Sequence, residues 1–165
     1  MAYPLQPLLN VRSFREDNAQ AAVSAAEGRV QEAEAIVAER QAELERYREW
    51  RPQEVERRYA AIMGESMSLA DLDKFKAGLA ALADGEYTRE AAVQEAEKVV
   101  DERKAELQTA REALLAARKD KMKIDAHKDI WSQAEAKEAE RAADIELEDF
   151  VPKTALGDPG QEEDN

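Results

Sequence analysis

Proline occurs at residues 4, 7, 52, 152 and 159 and nowhere else, so the stretch from Gln53 to Val151 contains none. A proline-free run of that length permits very long helix. The spacing of apolar residues says which face such a helix would bury. Val23, Ala26, Val30, Ala33, Val37, Leu44 and Tyr47 fall on one stripe at intervals of three, four or seven, with Arg40 in the same series. Glu, Gln and Arg fill most of the positions between them. This is a heptad seam with solvated flanks. A second seam runs through Val93, Ala96, Val100, Arg103, Leu107, Ala110, Leu114, Ala117, Lys121 and Ile124, and continues less apolarly to Trp131, Ala142 and Ile145.

Composition agrees with this pattern. Of 165 residues 37% are charged, 5% are aromatic and about a fifth are alanine, the usage typical of long helices and coiled coils. Large apolar side chains are too few for a thick globular core, yet they suffice for a narrow helix–helix seam. The net charge of −13 and pI near 4.7 argue against nucleic acid or an anionic membrane as the main partner. There is no cysteine, hence no disulfide framework or thiolate chemistry, which fits a reducing cytoplasm. No segment is apolar enough to span a bilayer, and the start lacks the pattern of a secretory signal.

Between the seams lies "IMGESMSLADLDKF". Gly64 can end a helix by adopting positive φ. Ser68 followed by Asp71 resembles a capping box, with Asp in place of the usual Glu. Leu69, Leu72, Phe75, Leu79 and Leu82 then restart the helical stripe. The expected fold is all-α: a long antiparallel two-helix coiled-coil hairpin over residues 1–150. Helix one covers about 8–63, the turn about 64–68 and helix two about 69–150, with a disordered acidic tail over 151–165 rich in Pro and Gly. A turn centred near Ser66 and Met67 pairs residues whose numbers sum to about 133. Helix one is then roughly 85 Å long and helix two roughly 120 Å, and helix two overhangs the N-terminus by about twenty residues.

Two local faults interrupt the pattern. Pro52 in "WRPQE" removes a hydrogen bond and disfavours helix at Arg51, and Tyr47, Arg51 and Val55 are spaced four and four, a stutter. A kink is expected near residues 48–52. Asp84-Gly85 could break helix two, but a single helical glycine costs only about 1 kcal/mol, so continuity is expected there.

Catalytic chemistry finds no foothold. One histidine, His127, and no cysteine leave no metal-ligand set. The many carboxylates sit three or four residues from Arg and Lys, as on a solvated face. No phosphate loop, nucleophile elbow or dinucleotide fingerprint is present. The basic cluster in "RKDKMKIDAHKDIW" reads as a solvated helix face or as a surface for an acidic protein. Tyr47, Trp50, Tyr59 and Phe75, flanked by arginine, read either as a protein-binding hot spot or as rings plugging a seam widened at Pro52. Ile145, Leu147 and Phe150 in the overhang would be exposed and call for a partner or a second copy.

With "YPLQPLLNVRSFRED" at its start, a midpoint turn, "HKDIW" near residue 130 and an acidic helix after it, the chain resembles the central stalk proteins of bacterial type III secretion. These are the YscO/SctO family of injectisomes and, more remotely, FliJ of the flagellum. The resemblance covers residues 3 to 150. It implies an antiparallel two-helix coiled coil similar to the rotor stalk of rotary ATPases, with no catalytic activity and no cofactor. It implies a bacterial, cytoplasmic protein at the base of the secretion apparatus. Its expected partners are the hexameric secretion ATPase, the cytoplasmic domain of the export gate and, for some members, secretion chaperones.

In the flagellar relatives gate binding uses a cluster near the hairpin tip. Leu44, Tyr47, Phe75 and Leu79 match it here, while Arg51, Leu82 and Glu86 occupy further positions with altered residue type. The ATPase is expected at the end where the termini lie, with Arg12, Arg15, Arg118, Lys121 and Trp131 as candidates. In the expected register Leu5, Leu8 and Leu9 lie opposite Ile124, His127, Lys128 and Trp131, so the opening patch clasps the open end of the hairpin. Arg12 and Arg15 would face Arg118 and Lys121, and their repulsion would call for an acidic partner. A generic coiled-coil spacer that self-associates is the alternative; the stalk reading expects a monomer when free, with no nucleic-acid binding and no membrane insertion.

Overall fold

The computed structural model describes residues 2–150; the expected disordered tail lies outside the described residues. Two helices account for nearly all of it, α1 (Gln6–Ile62) and α2 (Leu69–Asp149), packed antiparallel, and no strand occurs among the described residues. Helix α1 begins two residues before the expected position. Pro7 then sits in its first turn, where a missing amide proton costs nothing, and a preceding turn is closed by the Gln6 amide donating to the Tyr3 carbonyl at 3.1 Å.

The reversal is built as its residues suggest. Gly64 has φ of 84°, a conformation that a side chain would strain, and the Glu65 amide donates to the Ile62 carbonyl at 3.2 Å. Ser68 caps α2: its hydroxyl oxygen accepts from the Asp71 amide at 3.1 Å and its hydroxyl donates to the Asp71 carboxylate at 2.6 Å. Neither local fault breaks a helix, for α1 passes through Pro52 and α2 through Gly85. At Pro52 the cost is offset by ties across the seam. Arg48 donates to Glu86 at 3.0 Å and to Glu90 at 2.6 Å, and Arg51 pairs with Glu86 at 2.6 Å.

Among the described residues the chain divides into two compact units, residues 17–116 around the turn and residues 2–16 with 117–150 around the termini. In the turn unit Val23, Ala26, Val30, Leu107 and Leu114 form the buried cluster, with Ala19 and Ala110 packed against it. Ala33, Leu44, Leu82, Val93, Ala96 and Val100 extend this line of burial. Ala26 is the most enclosed at 1% exposure, and no large side chain is fully buried. The stability of so thin a core comes from a long row of small contacts rather than from any one residue. Register is uniform: Tyr59 meets Phe75 and Arg48 meets Glu86, each pair summing to about 134. Ion pairs such as Arg111–Glu27 at 3.1 Å and Lys104–Glu34 at 3.3 Å flank the seam. Exposed pairs of this kind contribute only about 0–1 kcal/mol each.

The expected stutter is corrected by the burial: the three-four spacing runs on unbroken through Tyr47, Arg51, Glu54 and Arg58. Glu54 rather than Val55 is therefore the most enclosed residue here, at 8% exposure, and Arg57 and Arg58 each hold its carboxylate at 2.8 Å. These hydrogen bonds, strengthened by the two positive charges, pull its pKa down to about 2 despite burial. Arg58 also reaches across to the Gly78 carbonyl at 3.1 Å, so the buried charge is itself tied to α2 through Arg58.

In the terminal unit the pairing again sums to about 134, with Glu16 against Arg118 and Tyr3 against Trp131. The residue that closes it is Tyr3. It is 6% exposed, stacks tilted on Trp131 at 5.4 Å between ring centroids, and sets its hydroxyl 2.8 Å from Nδ1 of His127. Of the three leucines expected in the clasp only Leu9 is buried; Leu5 and Leu8 remain half-exposed. The expected repulsion between basic residues is also corrected. Arg12 is paired with Asp120 at 2.8 Å, while Lys121 at 2.8 Å and Arg118 at 3.4 Å share Glu16. Asp120 and Glu16 thus answer three of the four cations from the facing helix, and the repulsion is relieved at Arg12, Arg118 and Lys121. Past Trp131, α2 is exposed at every residue through Phe150 except the half-buried Glu135.

Candidate protein-interaction site

The turn unit gathers the expected gate residues into distinct environments. Leu44 and Leu82 are buried in the seam. Tyr47 is half-buried. Its hydroxyl donates to the Leu82 carbonyl at 2.8 Å, its ring stacks tilted on Trp50 at 5.4 Å, and the Arg89 guanidinium lies 4.0 Å from its centroid. Tyr47, Trp50, Arg46 and Arg89 with Glu43 line one open groove of about 390 Å³. Arg51, Leu79 and Leu82 line another of about 370 Å³ with Pro52, Val55 and Ala83. Phe75 packs edge-on against Tyr59 at 5.1 Å. Trp50 and Tyr59 keep 44% and 49% of their surface exposed, so the rings are only partly spent on the seam. Tyr47 thus braces the helices, as the plugging reading expects, while Trp50 and Tyr59 keep much of their surface in solvent.

Gly85 explains how Tyr47 fits. A methyl group there would come within 3.0 Å of the Tyr47 Cζ and closer still to its hydroxyl. The apparent helix breaker is a notch that admits a tyrosine from the facing helix.

In the terminal unit, four of the five ATPase-end candidates are engaged within the unit: Arg12, Arg118 and Lys121 in ion pairs, and Trp131 under Tyr3. Arg15 alone is exposed with no partner among the described residues. The exposed groups that stand out here are apolar. Val11 and Phe14 on α1 and Met122 and Ile130 on α2 project to solvent, the last three at 66%, 67% and 68% exposure. By helical phase Val11, Phe14 and Ile130 lie on the backs of their helices, nearly half a turn from the seam residues Leu9, Glu16, Lys121 and Lys128, and Met122 lies about a third of a turn from Lys121 and Lys128 on the outer flank of α2.

No group of three metal-ligating side chains occurs among the described residues. No described helix is long and apolar enough to cross a membrane. Every groove described above is an open surface feature rather than an enclosed catalytic pocket.

Residues 5–153 match the family model for type III secretion protein YscO. The chain belongs to the YscO family. Two solved structures share its fold. YscO from Vibrio parahaemolyticus is 24% identical, with a TM-score of 0.79 over 88% of this chain and 92% of the other. A YscO homolog from Chlamydia trachomatis, CT670, is 23% identical, with a TM-score of 0.71 over 91% and 92%. Comparison with curated proteins gave no match. Membership in YscO assigns the chain to the type III secretion apparatus as a structural component. Helical spacing does not reach Tyr3 or Gly85, whose roles depend on the facing helix. Glu54 was within reach of it, as the next inward position when the three-four series through Leu44, Tyr47 and Arg51 continues to Arg58.

Proposed function

We propose that the protein is a non-enzymatic stalk of the secretion apparatus. Its terminal unit is gripped by the hexameric secretion ATPase, and its turn unit is read by the cytoplasmic domain of the export gate, at the cytoplasmic base of the apparatus. Secretion chaperones are further partners. The observation that carries this reading is the placement of Val11 and Phe14 on the back of α1 and of Ile130 on the back of α2, with Met122 on its outer flank. Large apolar side chains exposed on two opposed faces are covered together only by a partner that surrounds the pair. A ring of subunits is such a partner, whereas a docking protein on one side leaves half of them in water. The half-exposed Trp50 and Tyr59, beside the grooves that hold Tyr47, Arg51, Leu79 and Leu82, supply aromatic anchors of the kind that dominate protein interfaces.

A pull-down with the cognate ATPase and gate domain tests both contacts. Phe14→Ser with Ile130→Ser is expected to lose the ATPase and keep the gate, and Trp50→Ala with Phe75→Ala the reverse. Unchanged retention of both partners by both variants would refute the assignment. The competing reading, a self-associating coiled coil, draws on the exposed Ile145, Leu147 and Phe150. Acidic residues outnumber Lys137 and Arg141 along that segment, which works against pairing two copies of it. Sedimentation showing only monomer at tens of micromolar excludes self-association.

A further inference from the structure

Within the turn unit, on one side of the seam, Val37 and Ala38 of α1 and Val100 of α2 floor an open groove of about 440 Å³. The groove exists because the seam is locally built from small side chains. Ala33, Ala96 and Val100 are the buried seam residues along this stretch, whereas Leu44 and Leu82 are buried nearer the turn, and Val37 and Ala38 cover too little to close the flank. Its rim is acidic: Glu34, Glu97 and Asp101 stand around the floor with one cation, Lys104. That cation is already committed to Glu34 at 3.3 Å. Glu97 and Asp101 are four residues apart on one helix face, and among the described residues neither has a hydrogen-bonding or ionic partner. Like charges at that spacing oppose helix formation by a few tenths of a kcal/mol, and nothing on α1 offsets them. At other places along the turn unit a cross-seam arginine does answer acids, as Arg48 does Glu86 and Glu90, and Arg111 does Glu27.

We propose that this groove is the docking site of a basic amphipathic helix from another protein. Apolar side chains at three- and four-residue spacing would seat on Val37, Ala38 and Val100, completing a local three-helix bundle. Lysine or arginine on the flank facing α2 would pair with Glu97 and Asp101. A second copy of this chain fits less well, because each copy carries a net charge of −13. An acidic helix would meet only repulsion at the rim. The inference is independent of the ATPase and gate contacts, so its failure leaves those standing.

The test uses the full chain and a synthetic helical peptide with leucine at heptad a and d positions and lysine elsewhere, against the same peptide with glutamate for lysine. Calorimetry gives the affinity, and methyl NMR of Val37 and Val100 gives the place. The lysine peptide is expected to shift both valines, and Glu97→Gln with Asp101→Asn is expected to weaken it roughly tenfold. Glu138→Gln with Glu140→Gln removes the same charge outside the groove and should leave affinity within about twofold. Three results would overturn the proposal: valine methyls that do not move, equal weakening by both double variants, or equal binding of the glutamate peptide.

Discussion

Gly85→Ala separates intrinsic helix propensity from cross-helix fit. In an exposed helix interior the substitution stabilises by about 1 kcal/mol, because glycine loses more backbone entropy on folding. Here the new methyl would meet the Tyr47 ring within 3.0 Å at Cζ. The ring must then withdraw. It gives up its hydrogen bond to the Leu82 carbonyl, worth about 1 kcal/mol, and its contact with the Arg89 guanidinium, worth about 0.5–1 kcal/mol. Lost ring burial adds to this, so the whole displacement falls in the overpacking range of about 1–3 kcal/mol. The net effect in the wild type is a destabilisation of about 1 kcal/mol once the propensity gain is subtracted. With Tyr47→Ala the obstruction is gone, and the same Gly85→Ala change should stabilise by about 1 kcal/mol. The sign reverses, and the coupling energy is about 2 kcal/mol, well beyond the additivity expected of unrelated sites. Thermal and urea unfolding of the four proteins followed at 222 nm by circular dichroism measures the cycle. A Gly85→Ala protein more stable than wild type, or equal effects in the two backgrounds, would refute the notch.

Pro52→Ala restores the amide that would donate to the Arg48 carbonyl and is expected to raise stability by about 1–3 kcal/mol, read as an increase in unfolding midpoint. An unchanged midpoint would mean that the local backbone has no strain to relieve. Acid should weaken the fold through Glu54 and Glu16. The hydrogen bonds from Arg57 and Arg58 lower Glu54 to about 2, and the hydrogen bond from Lys121 lowers Glu16. Because both folded-state values lie below the unfolded ones, their contribution is complete above the unfolded carboxylate pKa, near 4.5. It is lost as pH falls through the folded values. The wild type should therefore exceed Glu54→Gln in midpoint at pH 6 and approach it near pH 2, and a constant difference across that range would contradict the pairing.

The seam, the turn and the cap were legible because each depends on residues near one another in sequence. Heptad spacing marks the buried face, Gly64 supplies positive φ, and Ser68 reaches only to Asp71. The register followed because a short turn leaves little freedom in how the helices pair. What escaped depends on the facing helix. Gly85 reads only as a tolerated helical glycine until Tyr47 is placed above it. Tyr3 lies before the first helical turn, outside any periodic pattern, and gains its role only from Trp131 and His127. The repulsion expected among Arg12, Arg15, Arg118 and Lys121 followed from reading cations alone. Glu16 on α1 and Asp120 on α2 face the cations of the other helix and pair with all of them except Arg15. Leu44 and Leu82 match a contact pattern by spacing yet lie buried, since spacing alone does not distinguish a seam position from the flank beside it.

Site-specific photocrosslinking tests the stalk assignment most directly. Benzophenone side chains placed singly at position 14 on α1 and position 130 on α2 report on the two opposed outer faces of the terminal unit, in the assembled complex with the cognate secretion ATPase. An enclosing partner predicts ATPase adducts from both positions at comparable yield. Adducts from one face alone, or from neither while the complex remains intact, would contradict it.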